Sequence, residues 1–196
     1  YTYRFPIPAH HVYLGNVGSA TRSLLFQPRL QTGFDPGFHA FDVYRWTPDK
    51  ARFFNTTRPY TELGYILGSQ TQQMIEILHT QNIRPHWNFS LQYRLINAPG
   101  FFKNQKTNHN NYQFTSWYES PNKRYNNFVT VTANALQSGE NGGIVDESFL
   151  KDPQFRERFS IPTRLGGNTP FGRDFFSSRL TTGNRYKELY VVMRQQ

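Results

Sequence analysis

At 196 residues, with a formal net charge of +9 and no cysteine, the chain has neither a disulfide framework nor thiolate chemistry. A mean hydropathy of −0.69, and no run near the roughly 20 apolar residues that a spanning helix needs, exclude a helical membrane protein. They do not exclude a membrane β-barrel, in which only alternate residues meet lipid. Eighteen Phe, twelve Tyr and three Trp exceed what an ordinary core requires, and amphipathic rings gather at bilayer interfaces.

In chain order, residues 1–59 read as a proline-rich segment, not clearly a separate domain, broken by Pro6, Pro8, Pro28, Pro36, Pro48 and Pro59. One strand is expected in it, over 38–46, with Phe38, Ala40, Asp42, Tyr44 and Trp46 in one phase. Gly15-Asn16-Val17-Gly18-Ser19 lacks the Gly-Lys-Ser/Thr ending of a phosphate loop and reads as a turn.

From residue 60 onward the pattern is that of antiparallel strands. Residues 60–67 put Thr61, Leu63, Tyr65 and Leu67 on one face. Residues 73–80 fit a strand or a short helix, with Ile75 and Ile77 set against Met74, Glu76 and Leu78. After a break at 82–85 comes the clearest strip in the chain, residues 87–95. Successive side chains of a strand point to opposite faces, so Trp87, Phe89, Leu91, Tyr93 and Leu95 share an apolar surface while Asn88, Ser90, Gln92 and Arg94 share a polar one. Residues 111–118 repeat the pattern, with Tyr112, Phe114 and Tyr118 opposite Gln113 and Thr115. A turn at 120–123 leads to 125–136, where Val129, Val131, Ala133 and Ala135 alternate with Thr130, Thr132 and Asn134. The last strand, 186–195, sets Leu189, Val191 and Met193 against Glu188 and Arg194. The connections at 97–110 and 138–184 are long, those at 82–85 and 120–123 short, the asymmetry of an up-and-down barrel. The long loop passes through Pro153, Pro162, Gly166, Gly167 and Pro170 and is a candidate surface loop or constriction.

The expected fold is therefore all-β: an antiparallel up-and-down transmembrane β-barrel. Its lipid-facing set is Trp87, Phe89, Leu91, Tyr93, Leu95, Tyr112, Phe114, Tyr118, Val129, Val131 and Ala133. Its pore-lining set is Asn88, Ser90, Gln92, Arg94, Gln113, Thr115, Thr130, Thr132, Asn134, Glu188 and Arg194. The inner face of a soluble sandwich produces the same alternation over one strand. Arg94 and Arg194, on the polar phase of a basic chain, are expected to bias a lumen toward anions, partly offset by Glu62, Glu76 and Glu188.

No catalytic constellation is visible. His10 and His11 are adjacent and diverge along a strand, and His39, His79, His86 and His109 are isolated and expected at surfaces or interfaces, so neither a metal nor a cofactor is expected. Asn55-Thr56-Thr57 and Asn88-Phe89-Ser90 match the glycosylation sequon, a pattern frequent by chance. Basic residues are scattered, with Lys103/Lys106, Lys123/Arg124 and Arg156/Arg158 the densest pairs, which argues against a nucleic-acid partner despite a pI near 9.9.

Several segments resemble, in order, the porins of Bacteroidota outer membranes. They are the run from His11 to Ala20, residues 38–46 and 59–69, His79-Thr80-Gln81-Asn82, the run from Gly100 to Gln105, and Asn108-His109-Asn110-Asn111. Asn122-Lys123-Arg124-Tyr125-Asn126 and Glu140-Asn141-Gly142-Gly143-Ile144 complete a match over most of 11–145. The resemblance implies a Gram-negative outer-membrane barrel, larger than this chain, without known enzymatic activity. The chain opens on Tyr1 without Met or a signal peptide and is expected to be the N-terminal part of a larger barrel. The expected partners are outer-membrane lipid and either other outer-membrane subunits or further copies of itself. Three functions remain open: passive diffusion of small solutes, a structural or accessory role in a larger outer-membrane complex, and ligand binding by a soluble secreted β-domain.

Overall fold

Alternation of apolar and polar side chains leaves each segment two faces to satisfy, and strands paired edge to edge satisfy both. The computed structural model describes residues 5–26, 28, 32–35, 37–166, 180 and 182–196. It contains a two-stranded ribbon of β1 (His11–Tyr13) and β2 (Thr21–Ser23), followed by a six-stranded antiparallel meander. The meander comprises β3 (Tyr60–Leu67), β4 (Gln73–Arg84), β5 (Trp87–Ala98), β6 (Thr107–Glu119), β7 (Asn126–Gly139) and β8 (Gly183–Gln195), paired strictly in chain order. Among the described residues β3 and β8 are the two edges and do not pair with each other, so the sheet is antiparallel and all-β but not a closed barrel. No helix is long and apolar enough to cross a membrane.

Of the two readings of residues 73–80 the strand is the one observed, and two expectations are corrected. β4 runs on through the expected break at 82–85 to Arg84, with a register irregularity between Asn82 and Arg84. Residues 38–46 are not a strand: Asp42–Tyr44 forms a 3-10 turn, and the chain beyond it is extended but unpaired. Its backbone groups bond to side chains of the sheet, and that partnership replaces a ladder. Gly15 and Gly18 (φ +80° and +88°) give the turn between β1 and β2 its left-handed residues. Of the long loop at 138–184, residues 167–179 and 181, which include Gly167 and Pro170, lie outside the described residues.

Register aligns the sheet into rows. On the outer face one row runs Ile77, Tyr93, Tyr112, Ala133, Leu189 and the next His79, Leu91, Phe114, Val131, Val191. On the inner face Glu76, Arg94, Asn111, Asn134 and Glu188 stand directly opposite one another across successive strands. A small core of Ile7, Tyr44, Met74, Ile96 and Leu136 ties the N-terminal segment to one end of that inner face.

Candidate functional site

The outer face is apolar and uncovered. Leu63, Tyr65 and Leu67 on β3, Leu91 on β5, Tyr112 on β6 and Leu189, Val191 and Met193 on β8 are all more than half exposed. Phe89, Leu95, Phe114, Val129, Val131 and Ala133 are half-buried between them. Tyr93 stacks on Tyr112 with centroids 4.8 Å apart and donates its hydroxyl to Asn110 Oδ1. Trp87 and Tyr118 pair at one end of the band, and Trp87 Nε1 donates to Ser116 Oγ. At the other end the same face turns polar, through Gln73, Asn97, Asn108, Gln137 and Arg185. From Trp87 to Leu95 the band is about 26 Å along the strand at roughly 3.3 Å per residue, or about 20 Å normal to a membrane at a ~40° tilt, close to the ~25 Å apolar belt of membrane barrels.

The inner face is polar and covered. Asn88, Ser90, Arg94, Gln113, Thr115, Thr130, Thr132 and Asn134 are buried, Gln92 and Glu188 are half-buried, and Arg194 is exposed beside Asp49 at 4.0 Å. The cover is the chain's own N-terminal segment, laid across the strands as a strap. Arg94 Nη2 and Asn111 Nδ2 both donate to the Tyr44 carbonyl, at 2.5 and 3.1 Å. Asn134 clamps the next peptide from both sides: its Oδ1 accepts from Trp46 N–H at 3.0 Å and its Nδ2 donates to Trp46 C=O at 2.8 Å. Further along, Thr115 Oγ1 donates to Arg52 O, Trp117 Nε1 to Phe54 O, and Thr56 N–H to Asn82 Oδ1. Because the Thr115 hydroxyl proton is committed to Arg52, Ser90 is the donor in the 2.6 Å contact between their hydroxyls.

Charge locks the strap. Arg45 forks onto Glu188, Nε to Oε1 at 3.0 Å and Nη2 to Oε2 at 2.8 Å, and reaches Asp42 with Nη1 at 2.9 Å. The Glu188 bond holds the Arg45 guanidinium well above its ordinary pKa, so the charge is permanent. Tyr186 lies under the same guanidinium, 5.0 Å from its ring centroid, and Arg94 lies 5.1 Å over Trp46. Burial pushes the Tyr44 phenol above its usual range, and the hydroxyl stays a donor to Ser19 O at 2.9 Å while accepting from Gly18 N–H.

The β1–β2 turn is a second anchor. Asn16, 2% exposed, donates to Ala98 O and Gln105 O and accepts from Gln72 Nε2. Of the surface and interfacial positions expected for the histidines, His109 takes neither an exposed nor a rim position. It is fully buried, with Nε2 2.7 Å from Gly18 O and Nδ1 accepting from Gln137 N–H at 3.1 Å. A neutral ring carrying its proton on Nε2 satisfies both contacts. A Cβ at Gly18 would come within 2.9 Å of His109 Nε2 and 2.8 Å of Thr107 Oγ1, so only glycine fits the left-handed turn there.

The polar set expected to line a pore thus shares one face, but much of it bonds to protein. Arg94 in particular is 6% exposed, and its guanidinium is engaged by the strap. Alternation revealed which face these residues occupy. It carried no sign of Tyr44, Arg45 and Trp46 as their partners. Among the described residues no group of His, Cys, Asp and Glu is arranged to hold a metal.

The fold is an open antiparallel meander of long strands, apolar and uncovered on one face, polar and hydrogen-bonded on the other. A family model described as "Putative porin" matches residues 8–187, and the chain belongs to that family. No curated protein and no solved structure matches it.

Proposed function

We propose that the six-stranded meander is part of an outer-membrane β-barrel whose outer face meets lipid, and that the intact protein passes small solutes by diffusion through a lumen narrowed by the strap. The observation that carries this reading is the uncovered apolar band of membrane height, backed by an inner face on which nearly every buried polar side chain has a partner. Family membership supports the porin class. Barrel closure requires strands against β3 and β8, because an unpaired edge is not tolerated in hydrocarbon.

A sealed structural barrel is the second reading, and the strap favours it: residues 44–56 lie across the inner face and are hydrogen-bonded to it through Arg94, Asn111, Thr115, Trp117 and Asn134. Conductance of the full-length protein in planar bilayers separates the two. Stepwise channels support diffusion, and a protein that inserts without conducting supports the structural role. A protein that stays monodisperse without detergent removes both.

A further inference from the structure

At the short-turn end the outer face finishes in one row of the ladder, Arg84, Trp87, Tyr118, Asn127 and Gln195, one residue from each of β4 to β8. Around its first four residues lies a groove of about 440 Å³, closed on the apolar side by Ser116 and Val129. One end of the groove is thus continuous with the apolar band, and the other is polar.

Two polar groups of the groove are uncommitted. Arg84 takes part in no ion pair among the described residues, whereas Arg45 and Arg194 are matched with Glu188 and Asp49. No carboxylate stands in its row or in the next one, which runs Gln81, Phe89, Ser116, Val129, Met193. Asn127 makes no side-chain hydrogen bond among the described residues, and its Oδ1 is buried without a donor. An amide held by no partner can turn about its broad last torsion, so that oxygen can meet an N–H or O–H group entering the groove. Ser116 is already spent: its Oγ accepts from Trp87 Nε1 and donates to Asn88 O.

A ligand that suits both groups brings an anion to Arg84 and a donor to Asn127. Trp87 and Tyr118 stand between the two as exposed rings, and ring faces attract a cation, which favours an ammonium over a hydroxyl as the donor. Arg84 and Asn127 are three strands apart, about 14 Å between backbones. The long arginine side chain spans much of that distance and leaves a gap suited to a phosphate and an ammonium joined by two carbons. Aromatic rings at the end of an apolar band also mark the level of lipid headgroups.

We infer that this groove seats the headgroup of an ethanolamine phospholipid. The phosphate lies on Arg84, the ammonium donates to Asn127 Oδ1 beside the rings of Trp87 and Tyr118, and the acyl chains run over Val129 and Phe89. A choline headgroup carries the same charges but has no N–H, and a glycerol headgroup has donors but no cation. The inference rests on the proposed contact of the outer face with lipid and names the lipid class held at its rim.

The test is native mass spectrometry of the full-length protein released from detergent micelles. It is titrated with dioleoyl phosphatidylethanolamine and, in parallel, with the choline and glycerol lipids of the same chains. The ethanolamine lipid is expected to be retained about tenfold more tightly than either. Arg84→Gln should weaken it by about tenfold, because the phosphate loses its charged partner. Asn127→Leu should lower the ethanolamine lipid to the level of the choline lipid and leave the choline lipid unchanged. Neither side chain bonds to the rest of the sheet, so both variants should fold as the parent does. Equal retention of the ethanolamine and choline lipids, tighter retention of the glycerol lipid, indifference to Arg84→Gln, or a preference that survives Asn127→Leu overturns the assignment. A protein that stays monodisperse without detergent refutes the lipid-facing reading itself. One that needs detergent but holds all three lipids equally refutes only this site.

Discussion

Asn134→Ala is expected to release the strap while leaving the sheet intact. The Asn134 side chain is the only group bonded to both the N–H and the C=O of Trp46 among the described residues; it also donates to Glu188 Oε1 at 2.6 Å and accepts from Asn111 Nδ2 at 2.5 Å. Removing it leaves two backbone groups and part of a carboxylate without partners in a half-buried site, while Asn111 Nδ2 keeps its bond to the Tyr44 carbonyl. At about 1–3 kcal/mol for each unsatisfied group, and with water entry recovering some of it, the net cost to the closed strap is about 2–4 kcal/mol. One factor of ten corresponds to about 1.4 kcal/mol, so amide hydrogen exchange across residues 44–47 should accelerate by roughly 30- to 1,000-fold. Exchange in β6 and β7 should hold, because their backbone ladder does not use this side chain. Thr132→Val is the control: Thr132 accepts from Gln113 Nε2 and has no bond to the strap. Mass-resolved exchange of the full-length protein in micelles reads both regions at once. Unchanged exchange at 44–47 in Asn134→Ala, or equal acceleration in the control, would refute the clamp.

Other outcomes follow from the same contacts. Glu188→Gln should loosen the strap by about 1–2 kcal/mol, less than a fully buried pair because Arg45 keeps some solvent contact, and proteolysis at residues 42–54 would report it. Gly18→Ala should lower thermal stability by about 2 kcal/mol or more, through contact with Thr107 and His109, whereas Gly15→Ala, with nothing within 4 Å of its added Cβ, costs only the strain of φ +80°. Thermal unfolding of the two variants side by side decides it, and equal losses would count against the Gly18 anchor. Leu91→Arg, at the centre of the outer face, should destabilise the bilayer-inserted protein by about 2–4 kcal/mol. A shift of less than half a kcal/mol in denaturant titrations from vesicles would indicate a face in contact with water.

The fold was legible where both faces of a strand had uniform character. Residues 87–95 of β5 and 129–135 of β7 alternate without a break because one face meets uncovered space and the other meets polar partners. β4 was ambiguous because its inner face carries Met74 in the core with Ile96 and Leu136 while its outer face carries Ile75 and Ile77, so apolar residues occur in both phases. Residues 38–46 alternate like a strand because they are partly extended, but their backbone bonds to Arg94, Asn111 and Asn134 side chains, and nothing local distinguishes such a partner from a neighbouring strand. His109 reads as an isolated histidine at a surface or interface because its burial depends on Gly18, 91 residues away in sequence. The candidate site was half legible for the same reason. Its wall is encoded in alternation, and its cover arises from long-range contacts that no local period records.

The central claim is that the face bearing Leu91 meets hydrocarbon and the face bearing Arg94 does not. These 196 residues contain no cysteine; in full-length protein with any cysteine elsewhere replaced by serine, a single Leu91→Cys carries a spin label without competition, and Lys50→Cys provides the inner reference. In vesicles of full-length protein, the label at 91 should collide readily with oxygen and rarely with a water-soluble nickel chelate, while the label at 50 shows the reverse. Ready access of the nickel chelate to position 91 would contradict the account.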